Sequence, residues 1–200
     1  MRILIADDHE MIRTGLRSIL CRREEWEIVG EAVNGQEAVT LAVQTNPHIA
    51  LIDYHMSLVN GLEATRDIRT RLPATEVVMF TMHDDPGIVA KAFEAGARGY
   101  VTKSEANKHL LVAVEALAAH RPYVSERIAA GLAHSFHSGM NHIFSFYSGV
   151  SQVNHLTPGE RVVSRLICDQ HTDQDIAILL SVSVQSVGKF RSQLTQRNSC

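Results

Sequence analysis

The sequence has few cysteines and no long hydrophobic run. Its three cysteines, Cys21, Cys168 and Cys200, are far apart and form no C-x-x-C pair, which argues against a disulfide framework and against a structural zinc site. No stretch approaches the roughly 18 uninterrupted apolar residues of a transmembrane helix. The acids Asp7 and Asp8 lie where a signal peptide would have its apolar centre. We therefore expect a cytoplasmic protein.

Positive charge is also scarce. The 200 residues include 19 Lys and Arg against 22 Asp and Glu, for a net charge of -3. Residues 1–120 are acidic overall, whereas residues 156–200 have a small excess of one positive charge. A nucleic-acid-binding surface is usually more strongly basic than this. With 45% hydrophobic and 20% charged residues, the composition indicates a globular protein of one or two domains.

The first 120 residues alternate between short apolar runs and segments with a helical period. In the helical segments apolar residues recur on one face, as do Ile12, Leu16 and Ile19. Such alternation predicts a parallel sheet of five β/α units. The predicted strands are Ile3–Ala6, Glu27–Ala32, Ile49–Asp53, Val77–Thr81 and Gly99–Thr102. One helix is marked by an N-cap at Asp85, a proline at Pro86 and a terminating glycine at Gly96.

A change of composition follows residue 120. Residues 121–155 are rich in Ser, Gly, His and Asn and are predicted to be a linker, partly helical near Ile128–Ala133. In residues 156–200, "TPGE" at Thr157 and "TDQD" at Thr172 are typical of helix-starting capping boxes, and Ser183 can cap a third helix. We therefore expect an N-terminal domain over 1–120, a linker over 121–155 and a small all-α domain over 156–200.

Three histidines in the linker raise the question of a metal site. His134, His137 and His142 could bind zinc or another transition metal. No carboxylate or cysteine lies near them in the sequence to complete such a site. The preferred interpretation is a polar linker.

Charged and polar residues lie at the ends of the predicted strands. Asp7 and Asp8 follow the first strand, Asp53 ends the third, Thr81 ends the fourth and Lys103 follows the fifth. The carboxyl ends of parallel strands gather ligands at one edge of the sheet. Clustered carboxylates suit Mg²⁺, which relieves their mutual repulsion. A carboxylate can also attack phosphorus, with Lys103 binding the phosphate and Thr81 donating a hydrogen bond to it.

At these residues the first 120 positions resemble the receiver domain of bacterial two-component response regulators. The resemblance implies a flavodoxin-like, doubly wound, five-stranded parallel sheet, and it implies that Asp53 accepts a phosphoryl group from a sensor histidine kinase. One departure lies close to the site, since Met56 is followed by Ser57 where the family usually has proline. This loop is expected to be less stiff, with an effect on kinetics.

The same resemblance assigns the metal ligands and a switch. Asp8 and the backbone carbonyl of His55 would contact Mg²⁺ directly, and Asp7 would contact it through water. Thr81 and Tyr100 would be the switch pair, with the Thr81 hydroxyl moving toward the phosphate and the Tyr100 ring turning inward. His55 and His83 also lie near this rim and could tune the lifetime of the phosphate. The expected magnesium ligands are Asp7, Asp8, Asp53 and the backbone carbonyl of His55.

Residues 156–197 resemble the LuxR-type helix-turn-helix of the NarL/FixJ-like branch of response regulators. The second helix of such a motif enters the major groove of DNA. The alternative for each exposed side chain on it is an ordinary solvated surface. The candidate DNA contacts are Gln185, Ser186, Lys189, Arg191, Ser192 and Gln193.

This segment departs from its family in three respects. Gln185 and Gly188 occupy positions that commonly carry basic residues, and Ser181 stands where a turn glycine is expected. The glycine at 188 weakens the helix by up to about 1 kcal/mol relative to alanine and removes a phosphate contact. The sequence ends at Cys200, where the family usually continues into a fourth helix, so dimerisation is expected to depend on the receiver.

Three hypotheses follow. The first is a response regulator that dimerises on phosphorylation and controls transcription through DNA, with a changed surface over Pro86–Ala95, the strand near Tyr100 and Lys108–Ala119. The alternative is a regulator whose degenerate output domain acts by protein contacts or as a phosphate sink. The third, a magnesium-dependent phosphatase, lacks the second acid expected at His55. We therefore expect no enzyme activity beyond catalysis of its own phosphorylation and dephosphorylation.

Overall fold

The structure, a computed structural model, describes residues 1–145 and 156–197, and the side chains of residues 1–138 and 156–195. It divides into two compact units. One contains residues 1–83 and 95–125, and the other contains residues 84–94 and those from 126 onward. Across the described ranges, no helix combines the length and the apolar character that crossing a membrane requires.

The first unit is built on a parallel sheet. Its strand order is β2-β1-β3-β4-β5-β6, and the adjacent pairs are all parallel. The strands are β1 (Arg2–Ala6), β2 (Glu27–Ala32), β3 (Ile49–Ile52), β4 (Glu76–Thr81), β5 (Gly99–Thr102) and β6 (Tyr123–Val124). The helices up to this point are α1 (Glu10–Leu20), α2 (Gly35–Thr45), α3 (Gly61–Arg71), α4 (Pro86–Ala95) and α5 (Ala106–Ala118), with a short 3-10 turn over Lys103–Glu105.

The predicted flavodoxin-like fold is confirmed, but the prediction of five strands is wrong by one. The sixth strand has only two residues, and Tyr123 pairs with Gly99 of β5. The Tyr123 hydroxyl lies 2.6 Å from Nδ1 of His109, which is buried on α5. Two residues are too few to show an alternating pattern, so this strand depends on its tertiary neighbours.

Apolar side chains on both faces of the sheet hold the first unit together. On one face, α1 and α5 pack over Ile3, Ile5 and other apolar residues of the strands. Helices α2 and α3 pack together elsewhere in the unit and bury Ala42 and Ile68. Each fully buried Leu, Ile or Val contributes about 1.5–3 kcal/mol relative to an exposed one. The resulting core keeps the strand ends in fixed positions.

Local signals determine where several helices begin and end. The side chain of Asn60 accepts a hydrogen bond from Glu63 N at 3.0 Å and thereby caps α3. The predicted limits of α4 are confirmed, because Asp85 Oδ1 accepts from Gly87 N at 2.8 Å and the helix ends before Gly96, whose φ is +112°. These caps satisfy backbone groups that the helix itself leaves unpaired.

The described part of the second unit contains α4 and four further helices. The predicted capping boxes at Thr157 and Thr172 are both present, and Ser183 Oγ accepts from Ser186 N at 3.1 Å. These interactions begin the last three helices at the expected residues. The further helices are α6 (Glu126–Ser145), α7 (Pro158–Cys168), α8 (Asp173–Leu180) and α9 (Val184–Arg197).

Helix α6 extends well beyond the helical part predicted for the linker. Its residues Ile128, Leu132 and Phe136 are spaced four apart and are all buried, so they form one apolar helix face. The Phe136 ring meets Phe190 of α9 edge-on, with centroids 5.4 Å apart. The abundant serine and histidine of this segment obscure that face in the sequence.

Two of the linker histidines lie on α6. His134 and His137 are exposed, and Nδ1 of His137 lies 2.8 Å from the carbonyl oxygen of Ala133. The side chain of His142 falls outside the described residues. Of the three histidines that could have bound a transition metal, two are therefore solvent-facing side chains on one helix.

Candidate functional site

Asp53 follows β3 at the carboxyl edge of the sheet and is 4% exposed. Its backbone N–H donates to the carbonyl oxygen of Ala6 in the neighbouring strand β1 at 2.9 Å. Gly61, at the start of α3, donates its N–H to the carbonyl oxygen of Tyr54 at 3.0 Å. A Cβ atom on Gly61 would lie 1.9 Å from the carbonyl oxygen of Asp53. The loop after Asp53 therefore needs glycine at position 61 to return this closely.

The ammonium group of Lys103 lies between two carboxylates. Nζ is 2.7 Å from Asp7 Oδ2 and 2.8 Å from Asp53 Oδ2. The side chains of Lys103, Asp7 and Asp53 are 7%, 1% and 5% exposed. The structure thus brings together three of the residues that the sequence placed at separate strand ends.

Burial and charge shift the proton affinities of this cluster. Burial raises the pKa of Asp53 above 3.8, and the negative charge of Asp7 adds to the shift although Lys103 opposes it. Burial tends to lower the pKa of Lys103, but its hydrogen bonds and charge interactions with Asp53 and Asp7 outweigh that effect and raise the pKa above 10.5. Lys103 is therefore cationic at neutral pH, where it faces two acids.

The donor atoms around Asp53 fit a divalent cation. Asp7, Asp8, His9 and Asp53 each offer one ligand atom, and these atoms lie within 4.8 Å of one another. Asp7 Oδ2 is buried, and the ammonium group of Lys103 lies 2.7 Å from it as a charged partner. Carboxylate oxygens of this kind are what Mg²⁺ prefers.

His9 is a member of this cluster that the sequence analysis missed. Its Nδ1 lies 2.5 Å from Asp8 Oδ1 and 3.3 Å from Asp7 Oδ1. Its backbone N–H also donates to Asp7 Oδ1 at 2.9 Å. The only signal in the sequence was its position directly after the acidic pair.

The two residues of the expected switch lie on neighbouring strands. Thr81 is the last residue of β4 and is 1% exposed, while Tyr100 of β5 is fully buried. The Tyr100 hydroxyl donates to the carbonyl oxygen of His83 at 3.0 Å. The tyrosine ring thus occupies the inward position that the sequence analysis assigned to the activated protein.

His55 extends from the loop that follows Asp53. Its side chain is exposed, and its Nδ1 lies 3.0 Å from Nε2 of His83. The Tyr54 ring makes edge-on contacts with both imidazole rings. The role of the His55 carbonyl as a magnesium ligand stays a prediction.

The candidate DNA contacts differ in their exposure. The guanidinium group of Arg191 binds within the protein, because its Nε lies 2.6 Å from Asp173 Oδ1 and its Nη2 donates to the carbonyl oxygen of His171 at 3.0 Å. Lys189 is an exposed cation on the same helix. Of the remaining candidates, Gln185 and Ser192 are exposed, whereas Ser186 and Gln193 are half-buried.

Comparison with known proteins gives matches over the whole chain. Residues 3–115 match the family described as the response regulator receiver domain. The transcriptional regulatory protein DegU of Brevibacillus brevis is 31% identical over 98% of this chain and 87% of its own length. A two-component response regulator of the LuxR family from Aurantimonas sp. SI85-9A1 is 41% identical, with a TM-score of 0.64 over 66% of this chain and 95% of that one. The RcsB response regulator of Salmonella typhimurium is 22% identical and shares the fold over 96% of this chain and 89% of its own, with a TM-score of 0.62.

Proposed function

This chain belongs to the response regulator family, and we propose that Asp53 is the phosphoacceptor through which a sensor histidine kinase controls transcription. The observation that carries the proposal is the buried ion-pair cluster of Asp53, Asp7 and Lys103 at the carboxyl edge of the sheet. The description of DegU as a transcriptional regulatory protein, at 31% identity over nearly the whole chain, supports an output in transcription. We expect the protein to work in the cytoplasm.

The transfer would use the Asp53 carboxylate as nucleophile. One of its oxygens forms a bond to phosphorus as the bond from phosphorus to the histidine nitrogen of the kinase breaks, and the product is an acyl phosphate. Lys103, which lies 2.8 Å from Asp53 Oδ2, would then bind a phosphoryl oxygen as a point charge. The buried hydroxyl of Thr81 would donate a hydrogen bond to another.

Mg²⁺ would be held by Asp7, Asp8, Asp53 and the carbonyl of His55, and it would neutralise charge on the transferred group. Lys103 and the acids Asp7 and Asp53 come from different strand ends, so the rigid sheet places them in advance. Such preorganisation reduces the reorganisation needed during transfer. The chain would catalyse only its own phosphorylation and dephosphorylation.

The signal would pass from Thr81 along the chain to α4. In the second unit α4 is connected to the later helices: Arg161 Nε lies 3.4 Å from Glu94 Oε1, and Arg127 pairs with Asp84 just before α4. A phosphorylation-dependent movement of α4 would break these exposed pairs at little cost, since each contributes at most about 1 kcal/mol. The C-terminal helices would then be released to bind DNA, and two receivers would pair.

One set of observations favours the alternative of an output unit that does not bind DNA. Arg191 is bound to Asp173 and His171, and Gly188 provides no side chain at a position where the family commonly has a cation. Among the side chains of α9 that the structure describes, those of residues 184–195, Lys189 is therefore the exposed cation available to a phosphate. Sequence-specific DNA binding by this unit would be weaker than in a member with a more basic helix.

Phosphorylation is tested with a small-molecule phosphodonor and Mg²⁺ on the wild-type protein and on Asp53→Asn. We expect one phosphoryl group per chain by mass and a shift to dimer in the wild type, with neither in Asp53→Asn. Labelling that persists in Asp53→Asn would refute the assignment. Steady release of phosphate from an external phosphomonoester would instead support the phosphatase hypothesis.

DNA binding is tested by gel shift over a range of salt concentrations, with and without the phosphodonor. A steep salt dependence and preference for one promoter fragment would support transcriptional control through DNA. Weak binding that is equal for all fragments would favour the protein-contact alternative. Phosphorylation of Asp53 can succeed in either case, so the two parts of the proposal are judged separately.

A further inference from the structure

Two histidines from different loops form a close pair beside the phosphoacceptor. His55 lies in the loop between β3 and α3, and His83 lies in the segment between β4 and α4. Nδ1 of His55 is 3.0 Å from Nε2 of His83. His55 is exposed and His83 is half-buried, so a solute can reach the pair.

The surrounding residues hold both rings in place. Tyr54 contacts each imidazole edge-on, with centroids 4.7 Å from His55 and 5.6 Å from His83. The carbonyl oxygen of His83 accepts the hydroxyl hydrogen bond of the buried Tyr100 at 3.0 Å. Each loop also follows directly from a strand of the rigid sheet. The two nitrogens are therefore kept near each other at a small further cost in conformational entropy.

The separation of the nitrogens suits a first-row transition metal. Metal–imidazole bonds are about 2.0–2.1 Å long, so two nitrogens 3.0 Å apart would subtend about 90° at the metal. This is the angle between adjacent ligands in square-planar or octahedral coordination, which is typical of Cu²⁺ and Ni²⁺. A hydrogen bond between the rings also requires that one of the two nitrogens presents a lone pair.

We propose that the imidazole nitrogens of His55 and His83 form a binding site for Cu²⁺ or Ni²⁺, whereas His55 would serve the magnesium site only through its backbone carbonyl. The metal would replace the proton shared by the two nitrogens, and that proton would leave to solvent. Because the hydrogen bond directs each nitrogen toward the other, both rings would rotate to bring their lone pairs to a common point. Water would fill the remaining coordination positions. The donors distinguish the two sites, because imidazole nitrogen suits Cu²⁺ and Ni²⁺ whereas carboxylate oxygen suits Mg²⁺.

A metal at this site would connect two loops that carry the proposed function. It would join the residue two positions after Asp53 to the residue two positions after Thr81. Because the backbone of His83 also accepts from Tyr100, the ion would hold the segment that binds the inward tyrosine. Metal occupancy is therefore expected to restrain the movement of both loops.

The test is calorimetric titration of the full chain with NiCl₂ and, separately, with CuCl₂, in the presence of saturating Mg²⁺. We expect the wild type to bind one metal ion per chain tightly. The affinity should fall at least about tenfold in His83→Gln and in His55→Gln, because loss of even an outer-shell partner costs about 10–100-fold in metal affinity. Two histidine variants are the controls. His9→Gln alters the acidic cluster, and the double variant His134→Gln, His137→Gln removes the exposed pair on α6. Neither control is expected to change the affinity for the tightly bound metal ion.

Wild-type metal affinity in both His55→Gln and His83→Gln would overturn the proposal, as would loss of tight metal binding in either control. Thermal unfolding checks that each variant is folded. His55 is exposed, so His55→Gln is expected to change stability by no more than about 0.5 kcal/mol and keeps the test decisive if His83→Gln does not fold. As an independent measurement, Cu²⁺ should broaden the ring NMR signals of Tyr54 before those of other tyrosines; equal broadening of all would count against the site.

Discussion

The alpha carbon of Gly61 lies so close to the backbone of Asp53 that a methyl group there would be 1.9 Å from the Asp53 carbonyl oxygen. The neighbouring Tyr54 carbonyl accepts the Gly61 N–H, so the loop after β3 returns onto its own starting point. The position of the proposed phosphoacceptor thus depends on the absence of a side chain at residue 61.

Substituting Gly61→Ala is expected to displace the backbone of Asp53. Overpacking of this kind costs about 1–3 kcal/mol of unfolding free energy, and the affinity for Mg²⁺ should fall with it. Gly15→Ala is the matched control, because a Cβ there would meet no described atom within 4 Å beyond its chain neighbours and the backbone of its own helix, and alanine favours the helix by up to about 1 kcal/mol. Urea unfolding measures both variants, and equal stabilities would contradict the steric argument.

Substituting Lys103→Met removes the cation between Asp7 and Asp53. Breaking a buried ion pair from one side costs about 3–5 kcal/mol, and two buried acids then face each other. Mg²⁺ can replace the missing charge, so it should stabilise Lys103→Met more than it stabilises the wild type, as urea unfolding with and without Mg²⁺ would show. The control is Lys91→Met, at an exposed position of α4. An equal gain from Mg²⁺ in wild type and Lys103→Met would be inconsistent with a shared site.

The pH dependence of stability should reveal the raised pKa of Asp53. A carboxyl whose pKa is higher in the folded than in the unfolded state favours folding while protonated, and it loses that advantage as the pH rises through the two values. In the absence of Mg²⁺, Asp53→Asn should therefore be more stable than the wild type at pH 7. The difference should shrink toward zero as the pH falls below 3.8, the ordinary value.

The measurement is urea unfolding of both proteins across this range of pH. Asp67→Asn, at an exposed position of α3, provides the control and should stay within about 0.5 kcal/mol of the wild type. A less stable Asp53→Asn at pH 7, or a difference that grows on acidification, would show that Lys103 outweighs burial at Asp53.

Glycine at residue 181, in the turn between α8 and α9, should raise the free energy of unfolding. Ser181 has φ +54° and ψ +40°, a left-handed conformation that costs residues with a Cβ roughly 1–2 kcal/mol. After the larger entropy loss of glycine on folding is subtracted, Ser181→Gly should gain about 0.5–1 kcal/mol. Ser181→Ala retains the Cβ and should gain little. Thermal unfolding of Ser181→Gly and Ser181→Ala tests this prediction, and identical unfolding midpoints would refute backbone strain at residue 181.

A cation at position 188 should strengthen DNA binding. Beyond its own helix, the described residues bring only Asp173 Oδ2 near a Cβ on Gly188, at 3.4 Å, so the helix accepts a side chain there. Gly188→Lys can add about one phosphate contact and make the slope of log affinity against log salt more negative by about 0.9. Gly188→Ala separates this effect from the gain in helix stability. If the two variants bind DNA alike, the face of α9 around residue 188 does not contact phosphate.

Much of the candidate site could be predicted because it lies at strand ends. Asp7, Asp53 and Lys103 follow three apolar runs, and the geometry of a parallel sheet is enough to bring such positions to one edge. The contact between His55 and His83 could not be predicted in the same way, since both residues lie in loops beyond the strand ends. The direction of a side chain within a loop depends on its neighbours in space.

The amino-acid sequence by itself determined the features that short-range patterns encode. These are the five longer strands, the capping boxes at Thr157 and Thr172, and the acids at the strand ends, because period and hydrogen-bonding side chains act within a few residues. The tertiary structure alone decided the two-residue strand at Tyr123, the ion pair of Arg191 with Asp173, and the placement of Lys103 between two acids. Each of these depends on groups that only the packed core brings within contact distance.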